Sequence, residues 1–160
     1  MGYYSDVEAA VRIDIDKVAD MVATNPVTPK DNTATLADTI KSSVGVPVHE
    51  AHDTATKAML RRIYIDWGEI FVNSSFLRDT FNEFVKSGEI HADVYELKMY
   101  DLAQDLKNFV EKYGDVIMYL DAERSGEENG DIERFEVRNV GGKNALFSAV
   151  AEMTFNYTLV

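Results

Sequence analysis

The stretch ADVYELKMYDLAQDLKNFVEKYGDVIMYLDA, residues 92–122, decides the architecture because its apolar period changes twice. Tyr95, Leu97 and Met99 alternate with other side chains, which predicts a strand over 92–99. Leu102, Leu106, Phe109, Val110 and Tyr113 then recur at helical spacing behind Asp101, a favoured N-cap residue, and Gly114 is placed to close that helix. Over 116–122 the period returns to two, with Met118, Leu120 and Ala122 on one side. Strand, helix and strand form the frame on which the rest is hung.

Outward toward the N-terminus, Val7, Ala9, Val11 and Ile13 alternate with Asp6, Glu8, Ala10 and Arg12, the pattern of a half-buried strand. Asp14 or Asp16 can cap a short helix carrying Ile15, Val18, Met21 and Val22, and Asn25-Pro26 and Pro29 end it near Thr24. Outward toward the C-terminus, two strands are expected over 132–140 and 145–159, joined in a tight hairpin at Gly141-Gly142. Residues 26–50 contain all three prolines (Pro26, Pro29 and Pro47) and one short helical pattern through Leu36 and Ile40, so they read as a surface excursion. Ala55, Met59, Ile63, Trp67 and Phe71 recur every four residues behind Asp53 or Thr54. Ile63, Ile65 and Trp67 also alternate, so a hairpin turning at Gly68 competes with the helix, which is the favoured reading. A further helix capped by Ser74 or Ser75 carries Leu77, Phe81, Phe84 and Val85 and stops at Gly88. The expected fold is one α+β domain over 1–160: a four- to five-stranded, mostly antiparallel sheet with helices on one face and a helical insertion over 26–90.

Composition narrows function by exclusion. With 46% apolar and 28% charged residues, a globular chain is expected rather than a disordered or membrane-embedded one. Lys+Arg 16 against Asp+Glu 28 gives a net charge of −12, which argues against direct nucleic-acid binding, since a phosphate-backbone binder needs a basic surface. The absence of cysteine removes disulfides, thiol nucleophiles and Cys-ligated metals. The first fifteen residues lack the basic region of a secretory signal, and no window approaches eighteen uninterrupted apolar residues. A cytoplasmic protein with no membrane association is expected.

Reaction motifs are equally scarce. His49 and His52 in HEAHD have the wrong spacing for a metalloprotease helix. The loop DAERSGEENGDIE, 121–133, starts like a calcium loop but has Ile132 where the bidentate Glu belongs. There is no G-x-S-x-G elbow and no phosphate-binding loop. No catalytic residue, metal ligand or cofactor is therefore assigned, and a non-enzymatic protein is expected.

Charge is the sharpest remaining signal. Between Asp93 and Glu136 the chain carries 13 acids and five bases, a balance of −8 out of −12. A field of one sign steers basic partners and repels nucleic acid. Asp121, Glu123, Glu127, Glu128, Asp131 and Glu133 are expected to meet a basic patch on another protein. Tyr64 and Trp67 are expected to add an apolar anchor, with core packing as the competing role of Trp67. Self-association into a homodimer through the apolar 145–160 strand is a further expectation. The alternative is a pocket for a small signalling nucleotide, bound or degraded, with Arg61, Arg62 or Arg78 on its phosphate.

The opening Gly2, Tyr3, Tyr4 and Ser5, the strand ending in Tyr100, and the later Gly126 or Gly130 followed by Asp131, Ile132 and Glu133 resemble small bacteriophage proteins of unknown function. The resemblance covers about a third of the chain and transfers no catalytic residue. It implies a phage product acting inside an infected bacterium. The expected target is then a host or defence-system protein whose basic, nucleic-acid-binding site is blocked.

Overall fold

The computed structural model describes residues 4–24, 54–71, 76–97, 101–151 and 157–159. In chain order the elements are β1 (Ser5–Ile13), α1 (Ile15–Thr24), α2 (Thr54–Ile70), α3 (Phe81–Ser87), β2 (Glu89–Leu97), α4 (Leu102–Tyr113), a 3-10 turn (Gly114–Val116), β3 (Ile117–Gly126), β4 (Ile132–Val140) and β5 (Lys143–Val150). The strands form one antiparallel sheet in the order β2-β1-β3-β4-β5. The fold is α+β, as the alternating periods require. The short helix through Leu36 and Ile40, His49, His52, and the Ser74 and Ser75 caps lie outside the described residues.

β1 sits centrally between β2 and β3, and its two-residue period sorts the molecule into faces. Ser5, Val7, Ala9, Val11 and Ile13 are buried while Asp6, Glu8 and Arg12 are exposed. Ile90, Ala92 and Val94 of β2, Leu120 and Ala122 of β3 and Phe135 of β4 join the buried side. Against it pack Leu60, Ile63 and Trp67 of α2 and Leu106, Phe109, Val110 and Tyr113 of α4, in one continuous core. Each such side chain contributes about 1.5–3 kcal/mol by leaving water. α2 and α3 supply Trp67 and Phe84 to this same core, so the described part of 26–90 is built into the domain.

Residues 54–70 are helical, because the helical face wins over the alternation. Ile63 and Trp67 are fully buried, whereas Ile65 between them is 48% exposed. α3 is shorter than expected and starts behind Thr80. Thr80 Oγ1 accepts from the Glu83 N–H and Glu83 Oε2 accepts from the Thr80 N–H, a reciprocal capping box. Leu77, expected on that helix, instead bridges Ala92, and the Arg78 N–H donates to the His91 carbonyl at 2.9 Å. This segment therefore runs along the outer edge of β2.

Three further details differ from the sequence reading. Tyr95 is 64% exposed, since Ile90, Ala92 and Val94 take the core side of β2. A bulge follows: Val7 faces Val94 but Ser5 faces Leu97. Glu96 there has φ 52, and its N–H donates to Asp6 Oδ1 at 2.8 Å. Gly114 has helical angles and leads into the 3-10 turn. Asn144 of β5 fastens that junction, donating through Nδ2 to the carbonyls of Gly114 and Ile117. Finally, β5 stops at Val150 instead of running to Leu159. The Ala151 N–H reaches the carbonyl of Ile132, the first residue of β4, so β4 offers no partner beyond Ala151.

Gly141 and Gly142 have φ 61 and 85, the left-handed pair that a two-residue hairpin turn demands. Gly88 closes α3 with φ 79, and a Cβ there would stand 2.7 Å from the Ile13 carbonyl oxygen, whereas one at Gly142 meets nothing. Gly88→Ala is therefore expected to lower the urea midpoint clearly more than Gly142→Ala. The shared left-handed strain is on the order of 1–3 kcal/mol, and the backbone clash acts at Gly88 alone. Equal midpoints for the two variants would contradict this packing.

Candidate functional site on the open sheet face

The sheet face turned away from the core carries a concavity of about 730 Å³, and among the described residues no helical one lines it. Strand register builds it in rows. In one row Glu8 stands opposite Asp93 on β2 and Glu123 on β3, and Glu123 faces Arg134 on β4. In the next, Ala10 stands opposite His91 and Asp121, Asp121 faces Glu136, and Glu136 faces Phe147 of β5. Ala10 leaves the middle of the face low between these longer side chains.

Charges on this face are unevenly matched. Arg78 Nε is 3.1 Å from Asp93 Oδ2, Arg134 Nε 2.8 Å from Glu123 Oε2, and Arg138 Nη2 2.5 Å from Glu136 Oε1. Each arginine is thus already neutralised. Glu8 and Asp121, diagonal neighbours across β1 and β3, have no counter-ion among the described residues. Three carboxylates on adjacent strands, Asp93, Glu8 and Glu123, repel one another, and folding gains nothing from the middle one.

One end of the face is fixed by a hydrogen-bonded cluster. Asp79 Oδ2 accepts from the His91 N–H at 2.7 Å and lies 2.8 Å from His91 Nδ1. His91 Nε2 is 3.6 Å from Glu89 Oε2. Glu89 Oε1 accepts from the Tyr119 hydroxyl at 2.8 Å and from Arg12 at 3.2 Å. Burial first, and the bond to Glu89 next, push the Tyr119 hydroxyl up to about 12. The cluster binds residues 77–80 to the β2 edge and so holds Arg78 at the rim.

The acids expected at a partner contact divide between locations. Asp121 and Glu123 lie on the open face. Glu127 and Glu128 are exposed in the β3–β4 turn. Asp131 and Glu133 are half-buried around Arg124, whose Nη2 is 2.9 Å from Asp131 Oδ1 and Nε 3.1 Å from Glu133 Oε1. Arg124 Nη1 also donates to Ser5 Oγ, tying the turn to β1. Its pKa is raised, with the Asp131 bond as the largest cause.

The expected apolar anchor is not at the surface. Trp67 is 0% exposed, packed against Phe71 at 5.1 Å and Phe109 at 5.2 Å between ring centroids. Core packing, the competing role, is the one it has. Tyr64 is half-buried beside Phe81 and Phe84, and its hydroxyl donates to the Asp79 carbonyl at 2.5 Å. Burial first, then Asp79 and Glu83, raise its pKa. Of the arginines considered for a phosphate, only Arg78 lines the concavity. Glu8, Asp93, Arg134, Arg138 and Phe147 line it without having been singled out from the sequence.

A second hollow, about 340 Å³ between α2 and α4, is structural in character. Asp66 accepts from the Tyr113 hydroxyl and from Lys112 Nζ, the latter at 2.9 Å. Burial pushes the Asp66 carboxyl up, but the bonds from Tyr113 and Lys112 outweigh it and leave the pKa below the usual value. Burial and the bond to Asp66 push Tyr113 up to about 12. A depressed carboxylate stabilises the fold above its unfolded pKa and loses that contribution as pH falls through the folded one. Asp66→Asn is thus expected to flatten the acid limb of a melting-temperature profile, and an unchanged limb would refute the linkage.

Among the described residues no three His, Asp or Glu side chains are placed to hold a metal ion, and no helix is long and apolar enough to cross a membrane. The chain matches no family model, no curated protein and no solved structure.

Proposed function

We propose that this chain is a non-enzymatic binding protein whose open sheet face receives a basic surface of another protein. The observation that carries the reading is the charge imbalance there. The three arginines are satisfied by neighbouring acids, while Glu8 and Asp121 present carboxylates without counter-ions among the described residues. A cationic side chain entering over Ala10 would meet both. Glu127 and Glu128 extend the acidic surface beyond the face. Blocking is steric and electrostatic and needs no chemistry. The resemblance to phage proteins supplies the setting, an infected bacterial cytoplasm in which a host or defence protein loses access to nucleic acid.

The test is capture of partners from bacterial lysate on the immobilised chain, washed in steps of rising salt. A nucleic-acid-handling protein that leaves as salt rises is the expected result, because exposed charge pairs are screened within about 8–10 Å at ordinary ionic strength. Retention of no protein, or retention indifferent to salt, would overturn the reading.

The small-molecule alternative has one observation in its favour. The concavity of about 730 Å³ falls within the roughly 300–1,000 Å³ of ligand sites, with Arg78 on its rim. A phosphate would have to displace Asp93 from Arg78, which weighs for the protein partner. Heat release of an ultraviolet-absorbing compound from the purified chain would reverse that preference.

A further inference from the structure

The geometry points to a second copy of this chain as the occupant of the outer edge of β5, the two strands pairing antiparallel about a two-fold axis at Phe147. A five-stranded open sheet has two edges, and here they are treated differently. The β2 edge is covered by residues 77–79, through the Leu77–Ala92 bridge and the Arg78-to-His91 bond. No described strand pairs with the outer side of β5.

Edge strands that remain single are ordinarily blunted by a bulge, a proline or an inward or central charge. β5 has none of these. Its register with β4 is unbroken from Glu133 opposite Val150 to Val140 opposite Lys143. Its only charge, Lys143, stands at the end beside the turn. The remainder is uncharged: Asn144, whose side chain is already held by the Gly114 and Ile117 carbonyls, and then Ala145 to Val150, apolar or small, with Phe147 38% and Val150 64% exposed. Tyr157 and Leu159 are 94% and 103% exposed, so the described part of the C-terminal segment does not cover the edge.

Two-fold geometry fixes the register. Two identical strands related by an axis perpendicular to the sheet keep their faces, so a residue must lie opposite one of the same parity. Residues 143–151, with Ala151 continuing β5 through its bond to Ile132, are centred on Phe147. Full overlap therefore puts the two Phe147 rings opposite each other. It also sets Ala145 opposite Ala149 and Lys143 opposite Ala151, and no like charges meet. The open faces of the copies then lie on one side of a continuous sheet.

Sedimentation or light scattering of the intact chain across about a hundredfold range of concentration tests this, since dimer fraction follows mass action. The expected mass rises from 18.0 kDa toward twice that value. Ala149→Lys, which charges the edge and leaves the core untouched, should hold it at the monomer. Because the chain has no cysteine, Phe147→Cys should cross-link through a short thiol reagent. Lys143→Cys should not, its two copies being about 27 Å apart at ~3.4 Å per residue. A wild-type mass that stays at 18.0 kDa throughout, an Ala149→Lys chain that still doubles, or equal cross-linking of the two cysteine variants would each overturn the pairing.

Discussion

Replacing Trp67 with Ala is expected to lower the unfolding free energy by about 3–5 kcal/mol, the range for deleting a large buried aromatic. Domains of this kind hold only about 5–15 kcal/mol in total, so the variant should unfold near working temperature. The reason is positional. Trp67 joins α2 to α4 through Phe109 and lies beside Phe71, fully buried, so no neighbouring surface can collapse into the space without moving a helix. Trp67→Phe should cost clearly less. The indole Nε1 has no hydrogen-bond partner among the described residues, and a buried unsatisfied donor costs about 1–3 kcal/mol that Phe does not incur. Circular dichroism against urea is the suitable readout, because each variant removes the only tryptophan. A loss below about 1 kcal/mol in Trp67→Ala would place the side chain outside the core.

Which features the sequence revealed follows from what periodicity can encode. Apolar spacing identifies an element and its inward face, and it does so for β1 and α4, whose buried residues are those the pattern selects; in α2 the every-fourth pattern finds Ile63 and Trp67 but misses Thr56, Leu60 and Ile70, which are buried beside them. The double glycine at 141–142 is equally legible, since few other pairs accept two positive φ values. Register is another matter. Nothing in the spacing of Glu8, Asp93 and Glu123 says that they become cross-strand neighbours, yet that adjacency makes the candidate site. The bulge at Glu96 is likewise a consequence of pairing, while Tyr95 is in solvent simply because Ile90, Ala92 and Val94 take the core side of β2. Parity also divides the acidic segment. Counting acids over 121–136 treats them as one surface, but Asp121 and Glu123 face outward while Asp131 and Glu133 enclose Arg124. Trp67 was ambiguous because an every-fourth apolar residue suits a core and an interface alike.

Reversing the two carboxylates that have no counter-ion among the described residues, Glu8→Lys with Asp121→Lys, is expected to weaken partner binding by on the order of a hundredfold or more, since close charge pairs at protein interfaces couple by about 1.5–7 kcal/mol. Stability should move the other way. Glu8 stands between Asp93 and Glu123, and a lysine there turns two repulsive cross-strand contacts into attractive ones. The single Glu8→Lys variant is therefore expected to melt at or above the wild-type temperature. Two controls locate the effect. Asp131→Asn disturbs the Arg124 pair on the opposite side of the sheet and should lower stability without the same loss of binding. Glu127→Lys alters the exposed turn and should cost less than tenfold in affinity, as one peripheral charge acts mainly on the association rate. Opposite signs for melting temperature and affinity in Glu8→Lys are what distinguish a recognition surface from a solvated face. If the double variant keeps wild-type affinity at moderate salt, the open face is not where the partner binds.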